Sequence, residues 1–141
     1  MFVVLRLPGE GQELQEAIQV EILAQAESWA MALKKEPLPP IYSCRVRFVP
    51  EPAGAKAEEW ADPYTTCRRG FGDCDDLVIW RLAEIFRDHN VGRIMDRDRL
   101  PAWPMIQWLR GTGRYHVLIR HRDGSEEDPA KIFLDREKRK R

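Results

Sequence analysis

The sequence predicts an α+β domain, because two long amphipathic helical stripes stand beside a set of short strand-forming runs broken by proline and glycine. A third observation bounds it: 141 residues with 43% hydrophobic composition can bury one real core but not two ordinary ones. One domain over 1–135 is therefore expected, with a basic tail at 136–141.

Taken in order, MFVVLRL is rich in Val, Leu and Phe and is closed by PGEG, which suggests a first strand. From Glu13 to Leu33, Leu14, Ile18, Ile22, Ala26, Trp29 and Leu33 recur at spacings of three and four, the stripe of an amphipathic helix. KKEPLPP ends it, since prolines 37, 39 and 40 remove donors and push preceding residues out of the α region. Ile41 to Val49 then alternates Tyr42, Cys44, Val46 and Phe48 with more polar neighbours and reads as a half-buried strand. Pro50 to Gly72 lacks periodicity and is expected to be a long surface connection, with a helical turn around Ala55 to Trp60.

Cys74 to Asn90 is the second helix, with Cys74, Val78, Leu82, Ile85 and His89 on one stripe. Asp73 is a natural N-cap, and Asp75 and Asp76 suit the positive end of the helix dipole. WPMIQWL, YHVLIRH and a weaker AKIFL are strand candidates separated by RGTG and RDGSEEDP, and DREKRKR reads as a solvated tail. The tryptophans 29, 60, 80, 103 and 108 are expected mostly in the core or lining a groove, with Trp60 and Trp103 in loop-like settings.

Composition excludes several roles. With 23 basic and 23 acidic residues there is no net field to attract nucleic acid or an anionic membrane, and REKRKR alone is a weak argument for either. No run approaches the ~18 apolar residues of a membrane span, and the N-terminus lacks signal-peptide features, so a cytoplasmic location is expected. Three cysteines without a CxxC pair suggest neither a zinc site nor a disulfide scaffold, although a Cys67–Cys74 bridge is conceivable. DCDD, DRD and RDGSEED lack the ligand pattern of a calcium loop. No metal and no cofactor is expected.

What remains is a nucleophile and its partners. A cysteine at a helix N-terminus is biased towards thiolate by the dipole, while the neighbouring Asp73, Asp75 and Asp76 oppose that bias. Cys74 holds that position, and a base and an orienting acid would complete it. His116 alternates with Leu118, so the two share a face, and if Leu118 faces the core His116 does too. A three-residue loop of Arg122, Asp123 and Gly124 sets Leu118 opposite Asp128 and puts Asp128 diagonal to His116, whereas a two-residue Asp123-Gly124 loop puts it on the wrong face. The backbone N–H of Cys74 is one oxyanion donor; Trp60, Tyr64 and Arg68 are candidates for another or for a substrate groove.

GFGDCDDLVIWRLAEIF followed by YHVLIRHRDGSEEDPAKIF resembles the transglutaminase-like superfamily of papain-type cysteine enzymes. The shared pattern is a GDC-D-D helix start, a strand opening on His, and an Asp-Pro after a DG turn. LVIW stands where small residues often follow the acidic pair. With PLPPIYSCRVRFVPEP and EEWADPYTTCRRGFGDCDD, the chain is also similar to small members encoded by bacteriophages or prophages, over roughly residues 37 to 133.

The resemblance implies a central Cys-bearing helix packed on a small antiparallel sheet, with an N-terminal amphipathic helix added. It also implies a Cys74, His116 and Asp128 triad forming a thioester on a peptide or protein amide, resolved by water or an amine. An alternative is a catalytically silent structural or assembly module whose partners are phage structural proteins. Either role implies the cytoplasm of a bacterial host or the virion.

Overall fold

The computed structural model describes residues 2–5, 11–50, 58–91, 97–109 and 114–140. The chain runs β1 (Phe2–Leu5), α1 (Gly11–Lys35), β2 (Arg47–Phe48), β3 (Glu58–Ala61), α2 (Pro63–Arg69), β4 (Phe71–Gly72), α3 (Cys74–Asp88), β5 (Ala102–Leu109), β6 (Arg114–His121), β7 (Glu126–Glu127) and α4 (Pro129–Arg139). The fold is α+β. β1 pairs antiparallel with β3, β2 parallel with β4, and β5, β6 and β7 form an antiparallel sheet in that order.

Both helical stripes are present. α3 runs through the middle of the molecule and is buried on almost every side. Val78, Ile79, Leu82, Ile85 and Phe86 pack with Ile18, Ile22 and Ala26 of α1 and with Ala102, Ile106, Val117 and Ile119 of the sheet. On its other side Leu77, Trp80 and Ala83 pack with Leu33, Ile41, Val46, Ala130 and Phe133. Each large side chain so buried contributes about 1.5–3 kcal/mol of transfer free energy, which makes α3 the element the fold can least do without. His89, last on the sequence stripe, is exposed at the helix end as its position there suggests.

Three expectations are corrected. Ile41 to Val49 is not one strand: Ile41–Ser43 is a 3-10 turn and only Arg47 and Phe48 extend. The cause is tertiary, because the Ile41 N–H donates to buried Glu84 at 2.8 Å and the parallel partner β4 is two residues long. Within the expected surface connection, Trp60 and Ala61 lie in β3, 1% exposed each, and Pro63–Arg69 is helical. The turn expected around Ala55 falls largely outside the described residues, as do PGEG up to Glu10 and RGTG. AKIFL is helical, not extended: Asp128 caps α4, Pro129 occupies its first turn, and Ala130 and Phe133 reach the core at helical spacing. α4 continues to Arg139, and Arg136 donates to the Tyr42 carbonyl, so the basic tail begins as helix.

Candidate functional site

The tip of α3 is built from a capping box. Asp73 Oδ1 accepts from the Asp76 N–H at 3.1 Å, and Asp76 Oδ2 accepts from the Asp73 N–H at 3.1 Å. Asp76, 1% exposed, does more than close the helix. Its Oδ1 accepts from the Ala61 N–H at 2.7 Å and its Oδ2 from Arg69 Nη2 at 2.8 Å, so it joins β3, α2 and α3. Burial pushes its carboxyl up, against the pull of those donors. Gly72 packs closely beside it, since a Cβ there would stand 3.0 Å from both Asp76 Cβ and Thr66 Cγ2 and would oblige them to shift. Cys74 is thereby held at the helix start, half-buried and touching both core clusters. Tyr115 Oη donates to Asp75 Oδ2 at 3.3 Å, which brings the start of β6 against the same tip.

The hairpin after β6 takes the three-residue loop. His121 N donates to Ser125 O at 2.8 Å and Gly124 N to His121 O at 2.9 Å, while Gly124 adopts φ +92°, a conformation suited to glycine. Ile119 stands opposite Glu127 and Arg120 opposite Glu126, so the register continues to Leu118 and Asp128. His116 and Asp128 meet as that register requires: Nε2 lies 2.7 Å from Asp128 Oδ2. Asp128 Oδ1 accepts from the Lys131 N–H at 3.2 Å, so one carboxylate caps α4 and orients the imidazole. Burial opposes ionisation of Asp128, but the His116 hydrogen bond and the Lys131 N–H together hold it below the ordinary carboxylate range. An ionised Asp128 accepts from Nε2–H, which makes Nδ1 the basic nitrogen of neutral His116.

His116 Nε2 is engaged with Asp128, while Cys74 packs on both core clusters at the start of α3. His116 and Leu118 do share a face, but the face meeting α3 is that of Val117 and Ile119. The candidate oxyanion and groove residues have these settings. Trp60 Nε1 is sealed in the core without a hydrogen-bond partner among the described residues. Tyr64 donates to the Glu36 carbonyl at 2.7 Å, and exposed Arg68 reaches only Thr65 Oγ1 at 3.5 Å.

Compared with family models, curated proteins and solved structures, the chain finds no match. Its chemistry therefore rests on its own residues. Among the described residues no group of three or more His, Cys, Asp or Glu is placed to hold a metal, and no helix is long and apolar enough to cross a membrane. A pocket of about 410 Å³ lies between α1 and β5, floored by Leu23, Leu100, Trp103 and Pro104, away from Cys74 and His116.

A second, partly buried network beside the pair was missed in the sequence. Glu127 accepts from Arg81 Nε at 2.7 Å and from Tyr42, and its other oxygen lies 2.9 Å from His121 Nε2. Arg81 also reaches Glu84 at 3.2 Å. Burial disfavours the charge on Glu127, yet the Tyr42 and Arg81 bonds hold its carboxyl low, while burial pushes the Glu84 carboxyl up. His121 is thus tied to β7 rather than left to the surface. The available signal was alternation: Glu127 opposes Ile119, a core residue, so its side chain turns inward.

Proposed function

We propose that the chain is a thiol-dependent amide hydrolase or acyltransferase of transglutaminase-like type, with Cys74 as nucleophile, His116 as base and Asp128 as the group that orients His116. The observation that carries this reading is the 2.7 Å bond from His116 Nε2 to Asp128, which leaves Nδ1 for a thiol. The Cys74 thiolate attacks an amide carbon, the amine leaves with the proton gained by His116, and water or another amine releases the thioester. The substrate is a peptide, isopeptide or cell-wall peptide linkage, and the setting is a phage or prophage in a bacterial host.

The test is the pH dependence of Cys74 alkylation, followed residue by residue by mass spectrometry in the original chain and in His116→Ala. Reactivity appearing well below the ~8.5 of an ordinary cysteine, and lost in His116→Ala, supports an activated pair. An ordinary thiol profile in both proteins defeats it.

A second reading, a catalytically silent assembly module of a phage particle, is favoured by the face β6 presents: Val117 and Ile119, not His116, belong to the core cluster that packs on α3, the helix that carries Cys74. Cys74→Ala separates the two. Undiminished particle assembly and infectivity make catalysis dispensable; their loss, with the fold intact, argues for turnover.

A further inference from the structure

Two thiols outside the candidate site sit on segments that the fold brings together. Cys44 leaves the 3-10 turn at 41–43 and Cys67 sits in the second half of α2. Their segments are brought together where Arg47 N donates to Gly70 O at 3.0 Å and β2 pairs in parallel with β4. Each cysteine stands three residues before its member of that bonded pair. The Arg45 carbonyl comes within 3.9 Å of where a Gly70 Cβ would sit, so the two segments stay close through this stretch. Both side chains pack on the same core cluster, with Leu38, Tyr42 and Tyr64 around them, and both are half-exposed. Cys44 Sγ donates to the Pro39 carbonyl at 3.6 Å, and Cys67 is near enough to act electrostatically on the Cys44 thiol.

We propose that Cys44 and Cys67 are a reversible dithiol site, oxidised to a disulfide by peroxides or small disulfides, which ties α2 to the 41–48 segment while Cys74 remains a thiol. With peroxide, one thiolate attacks an oxygen and breaks the O–O bond, giving a sulfenic acid and water. The second sulfur then displaces the sulfenic hydroxyl as water and closes the S–S bond. In sum, two thiols and one peroxide give one disulfide and two waters. Burial, reinforced by Cys67, pushes the Cys44 thiol up to about 11, so Cys44 is protonated near neutral pH and closure quickens as pH rises. The site stands independently of the proposed amide chemistry. It bears on that site through the chain itself, because α2 leads through Gly70 and β4 directly into Asp73 and Cys74.

The experiment oxidises the intact chain with hydrogen peroxide or diamide, alkylates the remaining thiols, and maps linkages by mass spectrometry before and after dithiothreitol. The expected result is a Cys44–Cys67 link within one chain, a mass loss of two hydrogens, loss of alkylation at both residues, an unchanged Cys74 alkylation rate and full reversal by the reductant. A link through Cys74, a link between two chains, or continued alkylation of Cys44 and Cys67 after a control dithiol has fully oxidised overturns the proposal. The mapping needs no substitution, so a poorly folding variant cannot obscure it.

Discussion

At the tip of α3 Asp76 is buried and shared among several partners, whereas at the end of the β6–β7 hairpin the His116–Asp128 pair is half-exposed and Asp128 is held by two bonds. Asp76 serves β3, α2 and its own helix cap at once. Asp128 serves one imidazole and one backbone N–H, with its side chain 24% exposed. A buried shared carboxylate fixes position strongly and tolerates no substitution, because its loss strands every donor around it. A half-exposed pair keeps access to solvent and substrate and loses less when cut. The candidate nucleophile is thus held by architecture, and its candidate base by a local hairpin.

The sharpest way to break the comparison is Asp76→Ala. It removes the acceptor of two buried N–H groups and the carboxylate that Arg69 Nη2 bonds, and a loss of about 3–5 kcal/mol, read by urea denaturation, is expected. A loss below about 1 kcal/mol would make the tip no more demanding than the hairpin. Next is Gly72→Ala, where the added methyl meets Asp76 Cβ and Thr66 Cγ2 at 3.0 Å; about 1–3 kcal/mol is expected from the same measurement.

Asp128→Ala removes a helix cap and the His116 partner, for about 1–2 kcal/mol near neutral pH. Its pH dependence sharpens the contrast. Because Asp128 is held below the ordinary value, its contribution is fully present above an unfolded value of ~3.9 and fades as pH falls through the lower folded one. The gap between original and variant should therefore close in acid. A gap independent of pH would mean that the ionised carboxylate is not what matters. At the small end, Glu126→Ala cuts an exposed ion pair with Arg120 in the same hairpin and should change stability by less than about 0.5 kcal/mol.

Much of the candidate site was readable one residue at a time. Asp73 before Cys74 signals a capped helix start, and of the two loop lengths that the Asp123-Gly124 turn allows, the three-residue one is the one that brings Asp128 to His116. The helix α4 was also readable, since Asp-Pro is a cap followed by a first-turn proline, but the short apolar run IFL imitates a strand. Other features could not be read locally. The extended pattern of 41–49 yields to a buried Glu84 that draws in the Ile41 N–H from 43 residues away. Trp60 is sealed in the core because β3 pairs with the N-terminal strand, a long-range event with no local signature.

The sequence alone determined the two amphipathic helices and the cap at Cys74, because each depends on periodicity or capping chemistry within a short stretch, while it left open a two-residue or a three-residue hairpin loop and, with that choice, whether Asp128 meets His116. Tertiary structure decided which side of β6 meets α3, that Asp76 is a junction rather than a surface charge, and that the segments carrying Cys44 and Cys67 come together. These depend on the sheet choosing one of its two faces for the helix and on segments distant in the chain burying polar groups together, and no local pattern encodes either choice.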